Sequence, residues 1–194
     1  AMEEQHNLAL LHGYALAENF DFSGFKQLLD LGGGSGAMSI ALCEKIPHLH
    51  ATVFDLPENI EKAEEMIRKK KLQKRIKCVG GDISKDDLPA EFDVALLANL
   101  LAVFDEESNK NLFAKIYDNL PHGGAALISG WILDEERLSP DISVLFCLED
   151  ICWNAPDVER NFPVYKDWLK SAGFQKIAQK TYFEPTKLIS AFKK

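Results

Sequence analysis

This sequence of 194 residues lacks long apolar runs, paired cysteines and an excess of basic charge. No apolar stretch has the length that spans a bilayer, so no membrane helix is expected. No signal peptide is expected either. The four cysteines (Cys43, Cys78, Cys147 and Cys152) are scattered through apolar segments. None forms a CxxC pair or a Cys/His cluster with zinc spacing. Reduced core thiols in a cytoplasmic protein, and no metal, are the expectation. Positive charge is outnumbered, 22 Lys and Arg against 30 Asp and Glu, for a net charge of -8. That balance argues against unspecific binding to nucleic acid or to an anionic membrane surface. Arg68, Lys69, Lys70 and Lys71, with Lys74 and Arg75, form a local basic exception and read as the solvated end of a helix. Repeats, low-complexity tracts and linkers are missing too, which leaves one domain with enough chain to bury a substantial core.

Strand and helix signals alternate through most of the chain. Residues 3–19 carry Leu8, Leu11, Ala15 and Ala17 at helical spacing and predict a helix. After the FDFSGF break, strands are predicted at 26–31, 50–54, 76–79, 92–97 and 125–131. Helices are predicted at 37–46, 58–70, 109–120, 139–153 and 164–172, and residues 174–180 and 187–192 read as a closing antiparallel hairpin. The pattern predicts an α/β fold: a doubly wound, Rossmann-like, mostly parallel sheet of seven strands with helices on both faces. Ligands in such sheets sit at the carboxyl ends of the strands, near the switch in strand order. The expected division is an N-terminal helix over 1–20 and one ligand-binding domain over 21–194.

The stretch LLDLGGGSGAMSIAL, residues 28–42, joins the first strand to the next helix. Its glycines allow a tight turn and let a ligand approach the backbone. A dinucleotide loop reads GxGxxG and seats a pyrophosphate on the helix N-terminus. Here the spacing is DxGxGxG, through Asp30, Gly32, Gly34 and Gly36. A carboxylate at that strand end would repel a pyrophosphate and attract an ammonium group. S-adenosylmethionine carries an ammonium and a sulfonium, and no phosphate. Asp55 ends the second strand, where an acid hydrogen-bonds ribose hydroxyls, although a helix cap before Pro57 is the competing reading. Asp82, in GGDI after the third strand, is placed to accept from an adenine amino group or to act as an ordinary loop cap.

With LLDLGGGSG, VFDLP at 53–57 and VGGDI at 79–83, the sequence resembles the catalytic domain of class I S-adenosylmethionine-dependent methyltransferases. FDLP narrows the likeness to the plant caffeic-acid and acetylserotonin type of small-molecule O-methyltransferase and its bacterial relatives. LPHGGAALISGWILDE at 120–135 and ERN…WLKSAGF at 159–174 extend it over nearly all the chain from about residue 20. The resemblance implies S-adenosylmethionine as cofactor, held by Asp30, Gly32, Gly34, Gly36, Asp55, Leu56, Asp82, Ile83 and Asn99. The backbone carbonyls of Asn99 and Leu100 would meet the ammonium or adenosine. It implies a small-molecule acceptor, methylated at a hydroxyl oxygen, and a homodimer.

Two departures stand out. The family carries a winged-helix dimerisation domain before the catalytic one, and only some twenty residues precede FDFSGF here. That domain is expected to be absent, with its wall of the substrate pocket. Second, the family's LHDWDDE turn is LLANLLAVFDEE here, so Ala102 stands where the proton-abstracting histidine belongs and Phe104 where the tryptophan does. Glu159 matches the glutamate that orients that histidine and is the catalytic residue the resemblance retains. Within 143–153, Phe146, Cys147, Cys152 and Trp153 line a substrate site or pack the core. Glu149 and Asp150, like Glu159, are candidate bases or surface carboxylates. His12, on the first helix, is a stand-in base or an ordinary helix histidine. His48, His50 and His122 fall at the wrong ends of their strands. Three functions stay open: methyl transfer to a small molecule, cofactor binding without methylation, and nicotinamide-dependent dehydrogenation, which Asp30 and DxGxGxG oppose.

Overall fold

Short apolar segments closed by turns assemble into the sheet. The computed structural model describes residues 2–133 and 161–194. Its order is α1 (Met2–Asn19), β1 (Gln27–Leu31), α2 (Ala37–Lys45), β2 (His50–Asp55), α3 (Pro57–Lys69), β3 (Ile76–Gly80) and β4 (Val94–Ala98). A 3-10 turn (Leu101–Val103), α4 (Glu106–Asn119), β5 (Ala125–Gly130), α5 (Phe162–Ala172), β6 (Gln175–Phe183) and β7 (Thr186–Phe192) follow. The seven strands lie in the order β3-β2-β1-β4-β5-β7-β6. Strands β1 to β5 are mutually parallel. β7 is antiparallel to both β5 and β6, so the closing hairpin is present as expected. Strand order reverses between β1 and β4, which opens a crevice at their carboxyl ends.

Side-chain alternation along the strands divides the core in two. Leu29 and Leu31 of β1 join Phe54, Leu97 and Ile128, packed with Phe113 and Ile116 of α4 and Trp168 and Leu169 of α5. Leu28 joins Val53, Leu96 and Leu127 in the other layer, with Leu16 of α1, Ile40 and Leu42 of α2 and Ile67 of α3. Each such side chain contributes roughly 1.5–3 kcal/mol when fully buried. Asp30 shares the parity of Leu28, so its carboxyl enters the layer beneath α2. The helix ends follow local chemistry: Pro57 opens α3, Asn161 Oδ1 accepts from the Val164 N–H at 3.3 Å, and Gly173, at φ 109°, closes α5.

Two expectations change. The face of α1 is not the Leu8–Leu11 stripe: those residues are 45% and 52% exposed, while His6, Gly13 and Leu16 are buried. The helix docks through its glycine, because an added Cβ at Gly13 would stand 2.5 Å from Ala41 Cβ. Helix α4 begins three residues before the predicted 109, because Asp105 caps it by accepting from the Ser108 N–H at 2.8 Å. The helix predicted at 139–153, with Phe146, Cys147, Glu149, Asp150, Cys152 and Trp153, lies outside the described residues, as does Glu159. No helix among the described residues is long and apolar enough to cross a membrane.

Candidate active site

The loop after β1 turns the chain back over the sheet. Gly32, Gly34 and Gly36 all have positive φ, at 65°, 54° and 75°. The Gly32 N–H donates to the Phe54 carbonyl at 2.8 Å, and the Gly36 N–H to the Gly33 carbonyl at 2.8 Å. Gly34 separates packing from ligand approach. A Cβ built there would meet nothing within 4 Å, so no neighbour demands the glycine. Its φ and the open space beside it make a bare stretch of backbone facing a void.

Beneath the loop sits Asp30, 1% exposed. Its Oδ2 accepts from Ser39 Oγ at 2.7 Å, and its Oδ1 has no partner. A buried carboxylate oxygen without a donor is costly. Burial raises this carboxyl's pKa to about 6, the Ser39 hydrogen bond lowers it in part, and the nearby charge of Asp55 adds to the rise. A cation beside Oδ1 would satisfy the orphan and return the group to its charged form.

Asp55, 8% exposed, ties the loop to the end of β2. Its Oδ2 accepts from the Gly34 N–H, and its Oδ1 from the Leu56 N–H and Asn59 Nδ2, each at 2.7 Å. A carboxylate has about four acceptor sites, so it retains capacity for a ligand hydroxyl. Leu56 contributes that backbone N–H, and its side chain is 41% exposed.

Asp30, Gly32, Gly34 and Asn99 share one cavity of about 870 Å³, together with Ser129 of β5 and with His6, Ala9 and His12 of α1. That volume falls in the range of small-molecule sites, roughly 300–1,000 Å³. Asn99 holds φ 51°, a left-handed conformation uncommon away from glycine, and its N–H donates to the Ser129 carbonyl at 2.8 Å. Gly36 and Asp55 lie behind this wall, as the cap of α2 and the brace of the loop.

Asp82 is not brought into this group. Its Oδ1 accepts from the Ser84 N–H at 2.9 Å and from Ser84 Oγ at 2.6 Å, and its Oδ2 pairs with Lys85 at 3.3 Å. The Ser84 hydrogen bonds hold its pKa down. This is the loop-cap reading of that acid. Ile83 is buried at 9% in the core on the α4 side.

Ala102 is exposed in the 3-10 turn and carries no titratable group. His48 and His122 bond backbone carbonyls, of Phe22 at 3.1 Å and Lys194 at 2.7 Å. No group of three His, Cys, Asp or Glu side chains among the described residues is placed to hold a metal.

Four partners had no reading from the sequence. Ser39, buried in α2, anchors Asp30. Asn59 anchors Asp55. Ser35, inside the loop, bonds His6 Nδ1 at 2.7 Å, and Ser129 Oγ bonds the Tyr182 hydroxyl at 2.6 Å. Ser39 alone left a signal: a polar residue amid the apolar run of α2.

The residues fit S-adenosylmethionine: an orphaned carboxylate for an ammonium, a strand-end acid for a ribose, and bare backbone between. Comparison with known proteins agrees. The family model for the O-methyltransferase domain matches residues 1–175. The 3-hydroxy-5-methyl-1-naphthoate 3-O-methyltransferase of Streptomyces sahachiroi is 34% identical over 174 residues, covering 88% of this chain and 49% of that one. The L-tyrosine C(3)-methyltransferase of Streptomyces lavendulae is 32% identical over 163 residues, covering 82% and 44%. The crystal structure of human N-acetylserotonin methyltransferase in complex with SAM superposes with a TM-score of 0.88 at 30% identity, over 99% of this chain and 54% of that one. The chain spans about half the length of the curated relatives it matches. It belongs to the O-methyltransferase domain family.

Proposed function

We propose that this chain binds S-adenosylmethionine at the glycine loop and transfers its methyl group to a small molecule, at a hydroxyl oxygen. When bound, the cofactor supplies an electrophilic methyl on its sulfonium. Asp30 holds the ammonium through Oδ1, Asp55 and the backbone of Leu56 hold the ribose end, and the Asn99 carbonyl faces the amino-acid part. Gly32 and Gly34 admit the ligand against the backbone, and Gly36 starts the helix behind it. Asp82 and Ile83 would flank the adenine, with the Asp82 carboxylate still held by Ser84. Glu159 would orient a base. Rate enhancement comes chiefly from alignment of acceptor and methyl, the term that fixed geometry supplies most strongly. The observation that carries the reading is the unpartnered Asp30 oxygen beneath a loop left open at Gly34.

The hydroxyl acceptor follows the printed activity of the Streptomyces sahachiroi relative, and the Streptomyces lavendulae one names a carbon instead. A cytoplasmic setting is part of the reading and is supported by the free thiols Cys43 and Cys78. A homodimer rests on the family likeness alone.

Methyl-labelled S-adenosylmethionine, incubated with a metabolite extract of the source, tests the proposal. Label is expected to enter a small molecule with the wild type and not with Asp55→Ala. Label that binds but never moves would favour a second reading, a cofactor-binding homologue that does not methylate. The exposed Ala102, with no base at that turn, is what speaks for it.

A further inference from the structure

A hydroxyl acceptor must lose a proton, and position 102 offers nothing to receive it. The described titratable residues that line the cavity are Glu3, His6, His12, Asp30, Glu58, Lys62 and Lys69. Glu3 and Glu58 are exposed to solvent. Asp30 is fully buried and committed to the ammonium. Lys62 and Lys69 pair with Glu65 at 3.3 and 2.6 Å. His6 is fixed to Ser35 on the glycine loop, on the cofactor's side, with burial first and then Lys62 and Lys70 opposing its protonation.

His12 is placed differently. His6, Ala9 and His12 recur at helical spacing and form the cavity face of α1. His12 stands at the β5–β7 side, where its Nε2 meets Thr186 Oγ1 at 3.0 Å. Thr186 opens β7, next to the carboxyl end of β5 through the Gly130–Lys187 register. The cofactor reading uses the ends of β2 and β1 and, through Asn99, that of β4. The part of the cavity by β5, lined by Ser129 and His12, is left for the acceptor. The ring is also oriented. The Nε2 contact to the Thr186 hydroxyl is open to the tautomer that carries its proton on Nδ1, since a hydroxyl can donate as well as accept. That tautomer leaves a lone pair on Nε2. Phe183, at 4.6 Å between ring centroids, and Tyr182, at 6.3 Å, hold the ring edge-on. Burial lowers its basicity, against the Leu8 contact, so the imidazole is neutral near pH 7.

We propose that His12 Nε2 takes the acceptor's proton during methyl transfer, in place of a base at position 102; this rests on the methyl-transfer reading above. The acceptor's hydroxyl takes the place of the buried Thr186 hydroxyl at Nε2. As transfer proceeds the O–H bond breaks, its proton passing to Nε2 and its electron pair forming the bond to the methyl carbon. The carbon–sulfur bond breaks with its pair left on sulfur, giving a neutral thioether. The imidazolium then returns its proton to water.

The test compares wild type with His12→Asn, using labelled S-adenosylmethionine and hydroxyarenes of graded acidity. A hydroxynaphthoate represents the weakly acidic end and 4-nitrophenol, ionised at pH 8, the other. Binding of S-adenosylhomocysteine is measured on the same samples and also reports folding. The variant is expected to bind within threefold of wild type and to lose about 10²-fold or more in kcat on the hydroxynaphthoate. On 4-nitrophenolate the loss should stay below about fivefold, since no proton remains to be taken. The rise of kcat/KM through the imidazole range should vanish in the variant. An equal loss on both acceptors, no loss, lost cofactor binding, or a wild type that binds cofactor yet methylates none of the set each overturns the assignment. A wild type that binds no cofactor overturns the methyl-transfer reading itself.

Discussion

A carboxyl with one paired and one orphaned oxygen sets the energetics of the site. Unfolded, Asp30 would titrate at about 3.9. Folded, it titrates at about 6, because burial penalises its charge. Between those values the native chain holds a proton that the unfolded chain has released. The stability from this group is therefore complete below about pH 4 and is lost as pH rises through about 6. At pH 7.5 the charged, unligated group costs on the order of 3 kcal/mol. Asp30→Asn is accordingly expected to raise the melting temperature of ligand-free protein at pH 7.5 and to keep only about half of that advantage at pH 5. The same change should weaken S-adenosylmethionine binding about tenfold or more, because the ammonium loses its counter-charge. Melting curves at the two pH values, with and without S-adenosylhomocysteine, check both halves. A stabilisation independent of pH would show that the carboxylate's charge is not the cause.

At the scale of elements, the lesson concerns which face of a helix docks. Periodicity in α1 points to Leu8, Leu11 and Ala15, yet the buried line runs through His6, Gly13 and Leu16. A hydropathy pattern finds large apolar side chains, and this contact is made by having almost none. Gly13 lets α1 approach α2 closely, and that approach brings His6 to Ser35 and His12 to Thr186. Replacing the glycine sets two effects against each other. Gly13→Ala favours an isolated helix by about 1 kcal/mol. The added Cβ, however, would lie 2.5 Å from Ala41 Cβ and 3.2 Å from the Met38 carbonyl oxygen, and neither atom can rotate away. Overpacking costs roughly 1–3 kcal/mol, so the clash is expected to win. Urea denaturation should show a lower midpoint, and stopped-flow chase should show faster release of S-adenosylhomocysteine as the α1 wall lifts. A stabilised variant with unchanged release would mean that α1 is not a wall of the site.

Across the whole molecule, what the sequence reveals is what is local in it. Alternating strands and helices give the sheet, and the strand-end rule gathers Asp30, Gly32, Gly34, Asp55 and Asn99, because each lies within three residues of its own strand end. Contacts between distant segments leave no such trace. His12 meets Thr186 across 174 positions and Ser129 meets Tyr182 across 53. The strand-end rule treats Asp55 and Asp82 alike, yet their partners in the unligated chain differ. Asp55 braces the glycine loop through Gly34, whereas Asp82 closes its own turn through Ser84. The two acids should therefore fail differently. Asp55→Ala leaves the Gly34 and Leu56 N–H groups and the Asn59 amide without an acceptor. A loss of about 1–3 kcal/mol in the unligated protein is expected, the cost of buried donors left unmade. Ligand at a hundredfold its Kd stabilises the wild type by about 2.7 kcal/mol, and the variant should show almost none of that shift. Asp82→Ala should keep most of it, with affinity changed less than threefold. Thermal shifts of the two variants against added S-adenosylhomocysteine decide the matter. Equal losses would place Asp82 at the ligand after all, with its Ser84 contacts giving way when the adenine binds.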